Sequence, residues 1–523
     1  MKIERYVFLL SLGIAVVAGA ETEVPLLEGE RWWGGKVADG RMMPFSGNSS
    51  YHAQLDLHHG ANQAAPLLIS DRGRYVWCDK AFGFSFSNGV LRTDADIKPV
   101  SAGRTLREAF LAASKAHFPP SGKMPPPVFF SAPQYNTWIE LQYNQNQKDI
   151  LKYAKDIVAN SLPPGVIMID DTWQAGYGDW RFEAFRFSDP KSLCDELHAM
   201  GFKVMLWMCP FITMDSPTYR RLRREGGLVI RKGRDPAVID WWNGKSAVLD
   251  LTHPNARAWF SGELNRLCRT FGVDGFKFDG GNVEHYQEKN LTHIPLPGVE
   301  QQCTYASYGL EFPYNEYRCC WKMAGQPLVQ RLLDKMHNWR ELRRCVTDLI
   351  AAGIIGHSFV CPDMIGGGDY RSFLPGAAFD PELFIRSAQV HALSPMMQFS
   401  ASPWRVLDEE GQRIIRETVS LRQRFAPRFV ELAGECAKTG EPMLRHMEYA
   451  FPRQGLADVS DQFVMGDFLI VAPQLEKGAA ARTVRLPAGV WLADDGSRIK
   501  GPVSVKIDTP LARLPHFVRA EQR

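Results

Sequence analysis

Hydrophobic and polar positions change rhythm along the chain. From about Glu21 to Val100 they alternate in short runs broken by turns, as in YHAQLDLHH (51–59), YVWCDKAFGFSFSNG (75–89) and VLRTDADIKPV (90–100). A period of two marks antiparallel strands. Residues 104–117 return to helical spacing, and Pro119-Pro120 with Pro125-Pro126-Pro127 marks a boundary. Beyond it, short apolar runs alternate with amphipathic helices. The runs are VFFSAPQ (128–134), VIMIDDTW (166–173), KVMLWMCPF (203–211), DGFKFDGG (274–281), PLVQRLLD (327–334), GIIGHSFVCPDMIGGG (353–368) and PMMQFSASPW (395–404). Helical patterns lie over 144–160, 190–201, 255–272, 338–353, 382–394 and 408–426. Such alternation predicts an α/β fold, a (β/α)8 TIM barrel. The inserts at 211–250 and 281–325 are expected to be loops on one face. From about Phe429 the rhythm is strand-like again. The expected division is an N-terminal β-sandwich over 21–118, the barrel over 125–426 and a C-terminal β-sandwich over 427–523.

Residues 1–20 read as an export signal. Lys2 and Arg5 precede an apolar run from Val7 to Val17, and Ala18-Gly19-Ala20 is a small-residue cleavage site. The run is too short to span a bilayer, so a periplasmic or secreted protein is expected, with no membrane segment in the mature form. Ten Cys in an exported chain raise the possibility of disulfides. Cys209 and Cys361 nevertheless lie in apolar runs and Cys268 and Cys345 on helical patterns, so buried thiols are expected. Cys303 with Cys319 or Cys320 is a candidate bridge around one loop. No CxxC spacing suggests zinc.

Composition narrows the chemistry. With 61 basic and 58 acidic residues the net charge is +3, which advertises no nucleic acid partner. Five carboxylates fall at expected strand ends: Asp170 and Asp171 after VIMI, Asp279 after FKF, Asp334 after LVQRLL and Asp363 after HSFVCP. Barrel chemistry sits at the C-terminal ends of strands. Any single Asp there could be a helix cap or turn residue, which is a poor account of five. There is no His cluster, no GxSxG and no phosphate loop, and Gly366-Gly367-Gly368 lacks dinucleotide spacing. Paired carboxylates among many aromatics, 14 Trp included, point to glycoside hydrolysis without a metal or cofactor.

On these residues the chain resembles glycoside hydrolase family 31. GFKFDGG carries Asp279 at the place of the family's nucleophile, at the end of the fourth barrel strand. Asp334 matches its acid/base, with Trp339 five residues later and Arg318 sixteen earlier. PDMIGGG (362–368), ELFIRSAQ followed by SPMMQFSASPW, and WWNGKSAVLDLTHPNARAWF (241–260) resemble further family elements. KFD, the long PDMIGG element and a DDxW segment resemble the α-galactosidase / myogenesis-regulating glycosidase branch. Leu333 before Asp334, Met364 after Asp363, and Gln398 with Ser400 depart from the α-glucosidase pattern. IDDTW (169–173) and KFDG (277–280) also resemble segments of the family 27 and 36 α-galactosidases.

The resemblance implies a retaining exo-α-glycosidase taking a carbohydrate substrate, foremost an α-galactosidase. α-Glucosidase, α-N-acetylgalactosaminidase and sulfoquinovosidase are alternatives within the family, and a non-catalytic sugar-binding barrel is the alternative outside it. Asp279 would attack the anomeric carbon. Asp334, with a raised pKa, would protonate the leaving oxygen and then deprotonate water. Arg318 and Lys277 would keep Asp279 ionised. Asp170 and Asp171 would bind sugar hydroxyls, Asp171 being alternatively a cap. Trp173 and Trp207 would wall the sugar, with core packing almost equally expected for Trp207. Asp363 would contact the sugar or cap a loop. His391 reads as structural, and Trp242 and His253 as either mouth or insert residues.

Overall fold

Eight parallel strands form the centre of the molecule: β1 (Gln134–Asn136), β2 (Val166–Ile169), β3 (Lys203–Met208), β4 (Gly275–Phe278), β5 (Tyr314–Tyr317), β6 (Gln330–Arg331), β7 (Val360–Cys361) and β8 (Gln398–Phe399). They pair in the order β7-β6-β5-β4-β3-β2-β1-β8. The β7–β8 seam has no ladder, but just beyond it Ile365 donates its N–H to the Gln398 carbonyl at 2.8 Å. The structure is a computed structural model and describes residues 22–520 except 232, 234, 287 and 288. The leader expected over 1–20 lies outside the described residues.

Every residue of β2 and β4 is buried, since helices cover the outside and side chains fill the inside. That is why both read as apolar runs. The helices are α1 (Gln147–Ala159), α2 (Pro190–Ala199), α3 (Pro254–Phe271), α4 (Gly298–Ala306), α5 (Trp339–Ile354), α6 (Pro381–Ala392) and α7 (Glu409–Thr439). Asn146, Asp189, Asn338, Asp380 and Asp408 cap α1, α2, α5, α6 and α7 by accepting backbone N–H bonds. Among the described residues no helix is long and apolar enough to cross a membrane.

The structure corrects the sequence reading at several places. VFFSAPQ is not one strand: Val128–Ser131 is a helical turn after Pro127, whose φ of −53° is already helical, and β1 begins at Gln134. The insert over 281–325, read as loop, contains β5. Its sequence YNEY hides it, because Asn315 and Glu316, one on each face, are polar and hydrogen-bonded rather than apolar. The insert at 211–250 supplies a three-stranded antiparallel sheet of Phe211–Ile212, Gly244–Val248 and Val238–Trp241. Strand-like structure does not begin at Phe429, since α7 continues unbroken to Thr439 with Pro427 inside it. No disulfide joins Cys303 to Cys319 or Cys320; all ten cysteines are free thiols. The Cys319 thiol instead donates to Asn282 Oδ1 at 2.6 Å.

Two sheets precede the barrel, an antiparallel one of four strands and a second with four antiparallel strands to which the barrel region adds a fifth. The second reaches the barrel directly, because Cys320 and Trp321 pair in parallel with Gln63 and Ala64. After α7 a six-stranded antiparallel sheet is dominated by the hairpin of Ala481–Ala493 and Arg498–Asp508. A register shift between Leu486 and Gly489 bends that hairpin. Its far half adds Val484, Leu486 and Ile507 to a core with Val464, Ile470, Trp491 and Phe517.

Candidate active site

The C-terminal ends of the strands surround a cavity of about 450 Å3. Asp170 follows β2, Trp207 lies in β3, Lys277 lies in β4 with Asp279 just beyond, Arg318 follows β5, and Asp334 comes three residues after β6. All of them line the cavity, as does Asp171.

Asp279 is held by three donors. Gly280 N–H reaches Oδ1 at 2.8 Å, the Trp207 indole N–H reaches Oδ2 at 3.1 Å, and Arg318 Nη2 lies 3.0 Å from Oδ1. Burial pushes its pKa up, but Arg318, Lys277 and Arg331 outweigh burial and hold it below the usual carboxylate range. The other terminal nitrogen of Arg318 donates to Asp334 Oδ2 at 3.2 Å, so one guanidinium fork grips both carboxylates. Gly368 leaves room for this arrangement: a Cβ there would lie 2.7 Å from Oδ1 of both Asp334 and Asp363.

The expectation of a raised pKa at Asp334 is not met in the free site. Its carboxyl also takes Arg331 Nη1 at 2.6 Å. Burial acts to raise the pKa, yet Arg331, Arg318 and Lys277 together hold it far below its ordinary value. Arg331 is only 1% exposed and bonds two further carboxylates, Glu316 through Nε at 3.1 Å and Asp363 through Nη1 at 2.9 Å. Gln398 completes Glu316 at 2.7 Å, and burial pushes the Glu316 carboxyl up despite Arg331.

Asp170 and Asp171, expected to act as a pair, differ. Asp170 accepts the Asp171 N–H at 2.8 Å and Lys277 Nζ at 2.6 Å, which leaves acceptor capacity toward the cavity. Asp171 already accepts four bonds, from Thr172 N–H at 2.6 Å, Gln174 Nε2 at 3.1 Å, Tyr177 Oη at 3.1 Å and Asn243 Nδ2 at 2.6 Å. The cap-like reading of Asp171 is the one the geometry favours. Burial, aided by the charge of Asp170, pushes it up to about 6.

Two expected site residues stand behind the cavity wall. Trp173 is wholly buried, packs on Phe182 with ring centroids 4.7 Å apart, and donates its indole N–H to the Trp207 carbonyl at 2.8 Å. It supports Trp207 and presents no face to a sugar. Asp363, 2% exposed, organises the loop that carries Asp334: its Oδ2 accepts the Lys335 N–H, and the Gly368 N–H at 2.7 Å. His391 is buried on α6, and His253 caps α3.

Sequence reasoning missed Arg331 and Glu316 and the mouth residues Trp138, Tyr143 and Tyr370, and noted Gln398 only as a departure from the α-glucosidase pattern. Arg331 did leave a signal, an Arg inside the apolar run LVQRLL. Trp138 meets Tyr143 and Tyr370 edge-on, with centroids 5.2 and 5.3 Å apart. Trp242, left open by the sequence, lines the cavity with its ring centroid 5.3 Å from the Arg318 guanidinium carbon.

Known proteins share this arrangement of domains. Residues 123–324 match the glycosyl hydrolases family 31 TIM-barrel domain, and residues 440–522 match the glycosyl hydrolase family 31 C-terminal domain. The myogenesis-regulating glycosidase of Mus musculus is 34% identical over 396 residues, covering 73% of this chain and 55% of the relative. The 1,3-alpha-isomaltosidase of Kribbella flavida is 28% identical, covering 64% of this chain and 50% of the relative. The chain thus spans about half the length of these two curated relatives. Among solved structures, a family 31 alpha-xylosidase from a soil metagenome complexed with xylose superposes with a TM-score of 0.84 at 24% identity, covering 95% of this chain and 79% of that one. Both matched domains and the ordered site motifs between them carry one conclusion: the chain belongs to glycoside hydrolase family 31.

Proposed function

We propose that the chain is an exported, retaining exo-α-glycosidase that removes terminal α-linked galactose. The observation that carries the reading is the grip of a single Arg318 guanidinium on Asp279 and Asp334 at an open cavity. Retaining glycosidases use carboxyls about 5–5.5 Å apart, whereas inverting ones leave about 6.5–9.5 Å for a water. Two carboxylates on one fork belong with the closer arrangement.

Asp279 attacks the anomeric carbon through Oδ2, the oxygen with one donor, and the bond to the leaving oxygen breaks as Asp334 supplies its proton. Water then attacks the glycosyl ester, giving its proton to Asp334 and releasing Asp279. Ionised Asp334 is the form needed in the second half. The first half needs the proton, so substrate binding is coupled to proton uptake at Asp334. The preference for galactose rests on Asp170, a buried acceptor oriented by Lys277 and available to an axial 4-hydroxyl. An epimer that leaves such an acceptor unmatched binds less well. Asp171, already saturated by protein donors, orients the Tyr177 and Asn243 side chains.

A panel of p-nitrophenyl α-glycosides, with NMR of the first-formed anomer, tests this reading. The α-galactoside should turn over fastest and release the α-anomer first. A faster α-xyloside or α-glucoside overturns the sugar preference, and a β-anomer overturns the mechanism. Asp279→Asn should abolish turnover at unchanged melting temperature. N-terminal sequencing of exported protein should begin at about Glu21.

A further inference from the structure

A second concavity, of about 340 Å3, lies outside the barrel mouth and is lined by Arg41, Arg340, Glu341, Arg343, Arg344 and Thr347. Four arginines and one carboxylate line it, and two further carboxylates, Glu476 and Asp348, approach Arg343 and Arg344 from beside it. Arg340, Arg343 and Arg344 fall on one face of the first turns of α5. Arg41 comes from the N-terminal region, in the 3-10 helix Val37–Met42. That helix approaches α5 so closely that a Cβ on Gly40 would sit 2.4 Å from the Thr347 carbonyl oxygen. Glycine at that position therefore brings Arg41 against α5.

The guanidinium donors in this groove are largely unspent. A guanidinium offers five N–H donors. Arg343 uses Nη1 on the Leu475 carbonyl and on Glu476, each at 3.2 Å. Arg340 and Arg344 lie 3.4 and 3.5 Å from the two oxygens of Glu341, too loose for good hydrogen bonds. Arg344 Nε is 3.5 Å from Asp348, and it is buried without a hydrogen bond. Arg41 is exposed and has no ion pair among the described residues. Glu341, Glu476 and Asp348 compensate the four cations only in part and at 3.2–3.5 Å, which leaves guanidinium donors free for an entering anion. Planar forks match the oxygens of sulfate and phosphate.

We propose that this groove binds a sulfate or phosphate ester borne by a glycan, at a site separate from the catalytic cavity. The full chain is titrated by calorimetry with sodium sulfate, sodium phosphate, a sulfated galactan and the same galactan after desulfation. The sulfated polymer should bind at least tenfold more tightly than its desulfated form, with affinity falling as NaCl rises. The double variant Arg41→Ser/Arg340→Ser alters two exposed side chains and should lower that affinity at least tenfold. Hydrolysis of a small aryl α-glycoside and the melting temperature should stay unchanged. Equal binding of the two polymers, or equal binding by the variant, overturns the proposal. Binding of the inorganic anions alone, lost in the variant, would keep the oxyanion chemistry and assign the groove to the free ion. Because binding is read without turnover, the result is independent of the sugar preference proposed above.

Discussion

Arg331→Met tests the electrostatics of the barrel floor. Methionine fills much of the volume but removes the cation shared by Glu316, Asp334 and Asp363. The three carboxylates respond differently. Asp334, with 29% of its side chain exposed, keeps Arg318 and can be rehydrated. Glu316 and Asp363 are 1% and 2% exposed and cannot. Breaking a buried pair by removing one partner costs about 3–5 kcal/mol. Proton uptake limits that cost: holding a carboxyl of ordinary pKa about 4.3 protonated takes at most about 5 kcal/mol at pH 8 and about 1 kcal/mol at pH 5.

The sign follows from the direction of each shift. Glu316 and Asp363 have pKa values raised above the unfolded value, Asp363 to about 6, and losing Arg331 raises them further. Such groups destabilise above the unfolded pKa and not below it. Asp334 has a depressed pKa, so its contribution is present above the unfolded value and does not vary between pH 5 and 8. Urea denaturation should show a deficit of about 3–5 kcal/mol at pH 8, narrowing to about 1–2 kcal/mol at pH 5. In the same variant Asp334 loses its nearest cation, so the alkaline limb of kcat/KM should move to higher pH. A deficit that is equal at the two pH values, or larger at pH 5, would refute the assignment of Arg331 as the shared counter-ion.

Two further substitutions separate positioning from packing. Trp207→Phe keeps an aromatic ring, smaller than the indole, but deletes the N–H on Asp279 Oδ2. A hydrogen bond to a charged group is worth about 1.5–3 kcal/mol, so kcat/KM should fall roughly ten- to a hundredfold and its acid limb should move to higher pH, with little change in melting temperature. An unshifted acid limb would mean that the indole is only a wall. Gly368→Ala places a methyl against Asp334 and Asp363; kcat should fall more than tenfold with KM nearly unchanged, and normal kcat would show that the loop accommodates the methyl.

Which parts of this molecule were legible in its sequence follows from what each position must satisfy. A strand buried on both faces is mostly apolar, so β2, β3 and β4 announce themselves, and the Asp that follows β2 and β4 stands out as the group that cannot belong to the core. Asp170 and Asp279, both of which line the cavity, stand out in that way. β5 does not, because its two central residues are polar on opposite faces and are satisfied by partners outside the strand: inward Glu316 by Arg331 and Gln398, and Asn315 on the other face by backbone groups that include Val329 N–H. A period-2 pattern cannot distinguish such a strand from a loop, since the compensation is three-dimensional. The same limit explains Trp173, Asp171 and Asp363. Adjacent residues in IDDTW share a segment but not a direction, and what decides whether a carboxylate serves substrate or scaffold is how many donors the protein has already aimed at it. Asp171 receives four and Asp170 two. The N-terminal sheet shows how far such compensation reaches. Gln63 Nε2 donates to the carbonyl oxygens of Arg318 and Arg331, at 2.5 and 2.9 Å, and Asn62 Oδ1 accepts the Leu333 N–H at 2.8 Å. Both arginines that grip the carboxylates, and the residue before Asp334, are thus pinned by Asn62 and Gln63, more than 250 positions away. Residues with apolar neighbours disclose the barrel, whereas the residues that set the charge state of its site are fixed by contacts that no local pattern encodes.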